Sequence, residues 1–135
     1  MGGDGMDRAA FEAWLARYFE AWASNDRSAV EALFAEDATY AIGPFGEPWQ
    51  GRDEIAERWI ADPENQTNVT SSFEALAVSG DMGIAHWRVG FVPRDDPSQH
   101  VQLDGVLIAT FGHDGLCREH REWYSRRKHS TAGEA

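Results

Sequence analysis

The sequence predicts an α+β domain, three N-terminal helices packed in a curved antiparallel sheet, on three observations. Apolar residues recur at helical spacing as far as about residue 61. Beyond Pro63 they alternate with polar residues at every second position. Short turns join the alternating stretches, which makes them an antiparallel meander. Helices first and strands after place the helices on one sheet face.

Each element has its own warrant. From Asp7 to about Ala23, Phe11, Trp14, Leu15, Tyr18, Phe19 and Trp22 fall on one stripe, with Glu12, Arg17 and Glu20 off it, so this is a long amphipathic helix. Asn25-Asp26 breaks it. Ser28-Ala29-Val30-Glu31 has the pattern of a capping box opening a short second helix, with Val30, Leu33 and Phe34 inward. Thr39 to Ile42 reads as a short strand, and a Pro/Gly loop follows from Gly43 through Gly51. A third helix runs from Arg52 to about Ala61, burying Ile55 and Trp59 and stopping before Pro63. Four strands follow, at Val69–Val78, Ile84–Val92, Val101–Phe111 and Leu116–Arg127, joined at Ser79-Gly80-Asp81, Pro93–Ser98 and His113-Asp114-Gly115.

A chain of 135 residues has room for one core, placed here at residues 7–128 between loose ends at 1–6 and 129–135. The net charge of −11 repels phosphate backbones and anionic lipid, so nucleic acid and membranes are excluded as partners. The excess is uneven: residues 1–81 carry 16 acids against 5 bases, and residues 82–135 carry 7 of each. A single cysteine, Cys117, forms no internal disulfide, and no signal-peptide pattern opens the chain, which points to the cytoplasm.

Two segments carry a resemblance. Leu33-Phe34-Ala35-Glu36-Asp37-Ala38-Thr39-Tyr40 and Gly51-Arg52-Asp53-Glu54-Ile55, in this order of elements, resemble the NTF2-like superfamily in its SnoaL-like branch. Phe111 to Leu116 followed by Arg121-Glu122-Trp123-Tyr124 looks like that family's final hairpin. The resemblance implies a cone whose sheet wraps the first helix around an apolar pocket, and a homodimer through the convex sheet face. It specifies fold better than function, since the family spans isomerases, cyclases, dehydratases, epoxide hydrolases and non-catalytic modules.

Compared with ketosteroid isomerase, Tyr18 stands at the tyrosine, but Ile42 and Gly43 occupy the base position and Leu107 the acid position. Compared with limonene epoxide hydrolase, Arg88 stands at the arginine, Glu122 at the second acid and Tyr40 at the tyrosine. Gly90 replaces the first acid and Ile42 the asparagine.

Alternation places His86, Arg88 and Gly90 on one strand face and His120, Glu122 and Tyr124 on one face of the last strand. If both face inward, Arg88 opposes Glu122, with His86 and His120 as titratable neighbours. The plainer reading is a satisfied core pair. His86, His120 and Glu122 also form a two-His-one-carboxylate set, yet the spacing is too common to assign a metal, and none is assigned. Asp104 is out of phase with Leu103, Leu107 and Phe111, so it faces away from the cup; Cys117, Glu119, Arg121 and Trp123 alternate against the cluster.

The expected function is cofactor-independent acid–base catalysis on a small hydrophobic molecule: isomerisation, dehydration, cyclisation or hydration. Arg88 orients, Glu122 or His86 is the base, and Tyr18 or Tyr40 donates a hydrogen bond. Trp14, Trp22, Phe45, Trp49, Trp59, Phe73, His120 and Tyr124 bind the substrate. The alternative is a non-catalytic ligand-binding or interaction module of the same fold.

Overall fold

The computed structural model describes residues 6–24, 26–59 and 66–130. In chain order the elements are α1 (Arg8–Ser24), α2 (Arg27–Glu31), β1 (Phe34–Ile42), β2 (Trp49–Gln50), α3 (Arg52–Trp59), β3 (Thr67–Ser79), β4 (Met82–Val92), β5 (Gln99–Phe111) and β6 (Cys117–Ser130). The α+β class matches the expectation, and the described residues include three helices. The helix end expected near Ala61 and Pro63, and the loose ends at 1–5 and 131–135, lie outside the described residues. β6 continues to Ser130.

The amphipathic stripe makes α1 what it is: Phe11, Trp14, Leu15, Tyr18 and Phe19 are all buried. The cap of α2 differs from the expected Ser28 box. Asp26 is the N-cap, its carboxylate accepting from the amides of Ser28 and Ala29, so the helix starts two residues earlier. It also ends sooner, and Phe34 opens β1, which is nine residues long rather than four.

The six strands form one sheet in the order β2-β1-β6-β5-β4-β3. It is not wholly antiparallel as expected: β1 pairs with β6 in parallel, the other pairs being antiparallel. No hairpin joins β1 to β6, so no turn forces the antiparallel direction on that pair. Leu33 ties this seam to the helix, its carbonyl accepting from the Trp14 indole at 3.1 Å and from the Cys117 amide at 3.0 Å.

Two irregularities decide which side chains point inward. In β6, Glu119 faces Thr110 while Cys117 faces Phe111, so Arg118 is an extra residue and the strand bulges there. The bulge turns Cys117 into the core, correcting its expected outward phase. Further along, Trp87, Gly105 and Tyr124 form one row across β4, β5 and β6. A Cβ at Gly105 would come within 2.4 Å of the Trp123 carbonyl and 2.6 Å of Tyr124 Cβ, so only glycine fits beneath the two rings.

Candidate functional site

Four polar side chains from α1, β1 and β6 meet inside the sheet. Tyr18 projects from the buried stripe of α1, Tyr40 from β1, and His120 and Glu122 from alternate positions of β6; all four are buried. The parallel register sets Tyr40 beside His120, and their rings stack at 4.2 Å and 12°. Tyr18 stacks on the same imidazole at 5.3 Å.

The hydrogen bonds converge on one carboxylate oxygen. Tyr40 donates to Glu122 Oε1 at 2.6 Å and His120 Nε2 donates to it at 2.8 Å. Tyr18 lies 3.1 Å from that oxygen and 2.6 Å from the Tyr40 hydroxyl. With one proton on each hydroxyl, Tyr40 gives its own to Glu122 and Tyr18 shares its proton between the two acceptors. Oε2 takes no hydrogen bond among the described residues. His120 Nδ1, buried on the far side of its ring, likewise has no partner among them.

Burial, followed by the nearby Glu122 charge, raises both tyrosine hydroxyls well above their ordinary value. They are donors held protonated. Because the folded value is raised, the stability they contribute is complete below the ordinary tyrosine value of about 10 and is lost as pH rises beyond it. Denaturant melts across alkaline pH should therefore show stability falling above about pH 10, with a shallower fall in Tyr18→Phe and Tyr40→Phe. An equal slope in all three proteins would contradict this.

Glu122, Tyr18 and Tyr40 line a cavity of about 170 Å³ together with Phe19, Trp22, Trp49, Trp59, Trp87 and Tyr124; Ile42, Val89, Leu103 and Arg58 complete it. Trp49 stacks on Tyr40 at 4.8 Å, and Trp59 lies 4.7 Å from Tyr18. Of the residues expected in the site, the structure thus brings together Tyr18, Tyr40, His120, Glu122, Trp22, Trp49, Trp59 and Tyr124.

The others lie elsewhere. Trp14 is core, against Tyr18, Phe34 and Phe111. Phe45 is 96% exposed in the loop after β1, and Phe73 stacks on Phe19 outside the cavity lining. His86 and Arg88 do not face Glu122. They point to the outer sheet face, where His86 Nε2 donates to Asp104 Oδ1 at 2.7 Å and Arg88 Nε to Oδ2 at 2.8 Å. The reason is desolvation: a guanidinium keeps its water outside, and the apolar Ala85, Trp87 and Val89 of the same strand go in. Asp104 faces outward as its parity predicts, and the hydrogen bond from His86, with that from Arg88, lowers its carboxyl from the ordinary value.

Trp87, Phe19, Arg58, Val89 and Leu103 line the cavity without having been singled out. For Trp87 the signal was present, since it belongs to the apolar phase of β4. Arg88 instead borders a larger trough of about 610 Å³ on the outer face, beside Asp104, Arg126 and Arg127. That trough holds none of the buried titratable groups. Burial also pushes the Cys117 thiol up, away from nucleophile chemistry. Among the described residues no group of three or more metal-binding side chains converges, and no helix is long and apolar enough to cross a membrane.

Solved structures of the same fold accompany this geometry. A hypothetical protein with a ketosteroid isomerase-like fold from Catenulispora acidiphila, determined in complex with trimethylamine, matches with a TM-score of 0.70 at 19% identity, covering 83% of this chain and 85% of its own. A conserved protein from Planctomyces limnophilus matches with 0.71 at 18%, covering 90% and 98%. SalBIII, described as an epoxide hydrolase/cyclase-like enzyme in pyran ring formation in the polyether salinomycin, matches with 0.72 at 21%, covering 89% and 94%. No curated protein matches the sequence. The SnoaL-like domain model matches residues 15–120, most of the chain, with Tyr18, Tyr40 and His120 inside the match and Glu122 two residues beyond it, and the chain belongs to the SnoaL-like domain family.

Proposed function

We propose that the Glu122 cavity performs cofactor-independent acid–base chemistry on a small, largely hydrophobic molecule. The observation that carries this reading is the divided carboxylate: Oε1 is held by Tyr40, His120 and Tyr18, while Oε2 takes no hydrogen bond among the described residues and Glu122 lines the cavity. Three fixed donors orient the group without occupying the oxygen that would take a proton. One such carboxylate, removing and returning a proton on a substrate clamped between rings, serves isomerisation, dehydration or cyclisation. An epoxide hydrolase array is disfavoured, because Arg88 is committed to Asp104 on the other face. The cyclase-like description of SalBIII and the trimethylamine complex support a small-molecule cavity in this fold.

The test is turnover across a panel of small enones, hydroxyketones and epoxy alcohols. Glu122→Gln is expected to lower kcat/KM by about 10²-fold or more while ligand affinity stays within a few-fold. His86→Ala and Arg88→Ala are expected to leave it unchanged. If wild type binds members of the panel and transforms none, the binding-module reading replaces the catalytic one; what favours that second reading is that both tyrosine hydroxyls are spent on Glu122.

A homodimer through the outer sheet face and residence in the cytoplasm complete the proposal. Trp123, 39% exposed amid charged neighbours on that face, supports self-association. Light scattering should give a dimer for wild type and a monomer for Trp123→Glu; a monomeric wild type overturns this part.

A further inference from the structure

We infer that the cavity recognises a tertiary or quaternary alkylammonium group on a free small molecule, held between aromatic faces and the Glu122 carboxylate. The inference rests on the Glu122 cavity being the ligand site, whether or not the ligand is then transformed.

Three properties of the lining select the cation. The first is the density of aromatic rings: Trp22, Trp49, Trp59, Trp87 and Tyr124 all border a space of about 170 Å³, while Tyr40 has its own faces covered by Trp49 and His120. Contacts between rings hold them in place, with Trp49 on Tyr40 at 4.8 Å and Trp87 beside Tyr124 at 5.8 Å. Each face carries the negative lobe of a ring quadrupole, and indoles bind cations best. A neutral guest gains only the apolar contact.

The second property is the charge of the lining. Glu122 is its acid. Its base, Arg58, has a side chain 61% exposed and sits 3.8 Å from Glu54 one turn away, so its charge belongs to the surface. His120 lies against Glu122 but is absent from the cavity wall.

The third is the supply of acceptors, which sets how many N–H groups a guest brings. The Tyr18 and Tyr40 hydroxyls are engaged, the indoles are donors only, and Glu122 Oε1 is already bonded. That leaves Oε2 as the acceptor at the buried end of the lining, the Tyr124 hydroxyl belonging to a residue 41% exposed at its outer end. A primary ammonium would bury N–H groups without acceptors, a tertiary one matches a single donor to a single acceptor, and a quaternary one has none to satisfy. Methyl groups on nitrogen meet the rings in both.

Titration calorimetry on the full-length protein at constant ionic strength, with tryptophan fluorescence as a second readout, tests this. The probes are choline and trimethylammonium chloride against 3,3-dimethylbutan-1-ol, the neutral isostere of choline. Choline is expected to bind about tenfold or more tighter than the isostere. Glu122→Gln should erase that ratio while retaining isostere binding. Trp49→Leu, which keeps apolar bulk and removes a ring face, should reduce choline affinity severalfold with little effect on the isostere. Phosphatidylcholine vesicles should not retain the protein; retention there without binding of free choline overturns the free solute as ligand. Equal affinity for choline and isostere, or choline binding indifferent to both variants, overturns the cation and leaves the catalytic reading of the cavity intact. Selective choline binding upholds it, and the catalytic reading then falls separately if panel members bind and none is transformed. No binding of either probe overturns it.

Discussion

Replacing Glu122 by leucine should destabilise the fold by about 3–5 kcal/mol, because it strands buried donors rather than because it removes bulk. Tyr18 keeps a partner in Tyr40, but the Tyr40 and His120 protons lose the oxygen to which they are aimed at 2.6 and 2.8 Å. His120 has no water to turn to, being wholly buried and off the cavity wall, and Tyr40 is 2% exposed at the cavity's edge. Glu122→Gln retains a carbonyl acceptor and should cost about 1–2 kcal/mol. Adding Tyr40→Phe to Glu122→Leu removes one stranded donor and should recover part of the loss, a coupling that a double-mutant cycle in urea would measure. If the leucine variant melts within about 1 kcal/mol of wild type, the cluster contributes little to stability.

Trp14→Ala is expected to cost a similar amount, about 3–5 kcal/mol, through a different cause. The indole is 1% exposed and makes edge contacts with Phe34 and Phe111, at 6.0 and 5.2 Å, and lies 5.1 Å from Tyr18. Its loss opens a void that rigid rings cannot close, and it removes the N–H bond to the Leu33 carbonyl. Trp14→Phe keeps most of the volume and should cost roughly half as much. A midpoint for Trp14→Ala indistinguishable from wild type would contradict a core built on this residue. Together with domain stabilities of about 5–15 kcal/mol, these figures make either substitution able to consume much of the stability.

Much of this is legible in the sequence. The stripe through Phe11, Trp14 and Tyr18 could only be a buried helix face, and the alternation His120, Glu122, Tyr124 placed three side chains on one side of β6. What misled was β4. Alternation sorts a strand into two faces without saying which is inside, and a resemblance to an arginine-containing array drew Arg88 inward. The cost of dehydrating a guanidinium, set against the apolar phase of Ala85, Trp87 and Val89, decides the other way. The Arg118 bulge and the parallel β1 to β6 register were not legible, because both follow from pairing between segments far apart rather than from any local pattern. Leu107, where an isomerase-like acid was sought, is the cross-strand neighbour of Glu122.

The parallel seam between β1 and β6 also fixes an order in time. Tyr40 and Glu122 are 82 residues apart, and Tyr18 and Glu122 are 104 apart. During synthesis α1, β1 and α3 leave the ribosome with their aromatic faces made and no partner for them, while β3 to β5 can already pair as hairpins. Only when the last strand emerges do Tyr18 and Tyr40 receive their acceptor and the cavity its carboxylate. A nascent chain halted before Cys117 therefore carries an unsealed aromatic surface and lacks the carboxylate on which the tyrosine hydroxyls converge.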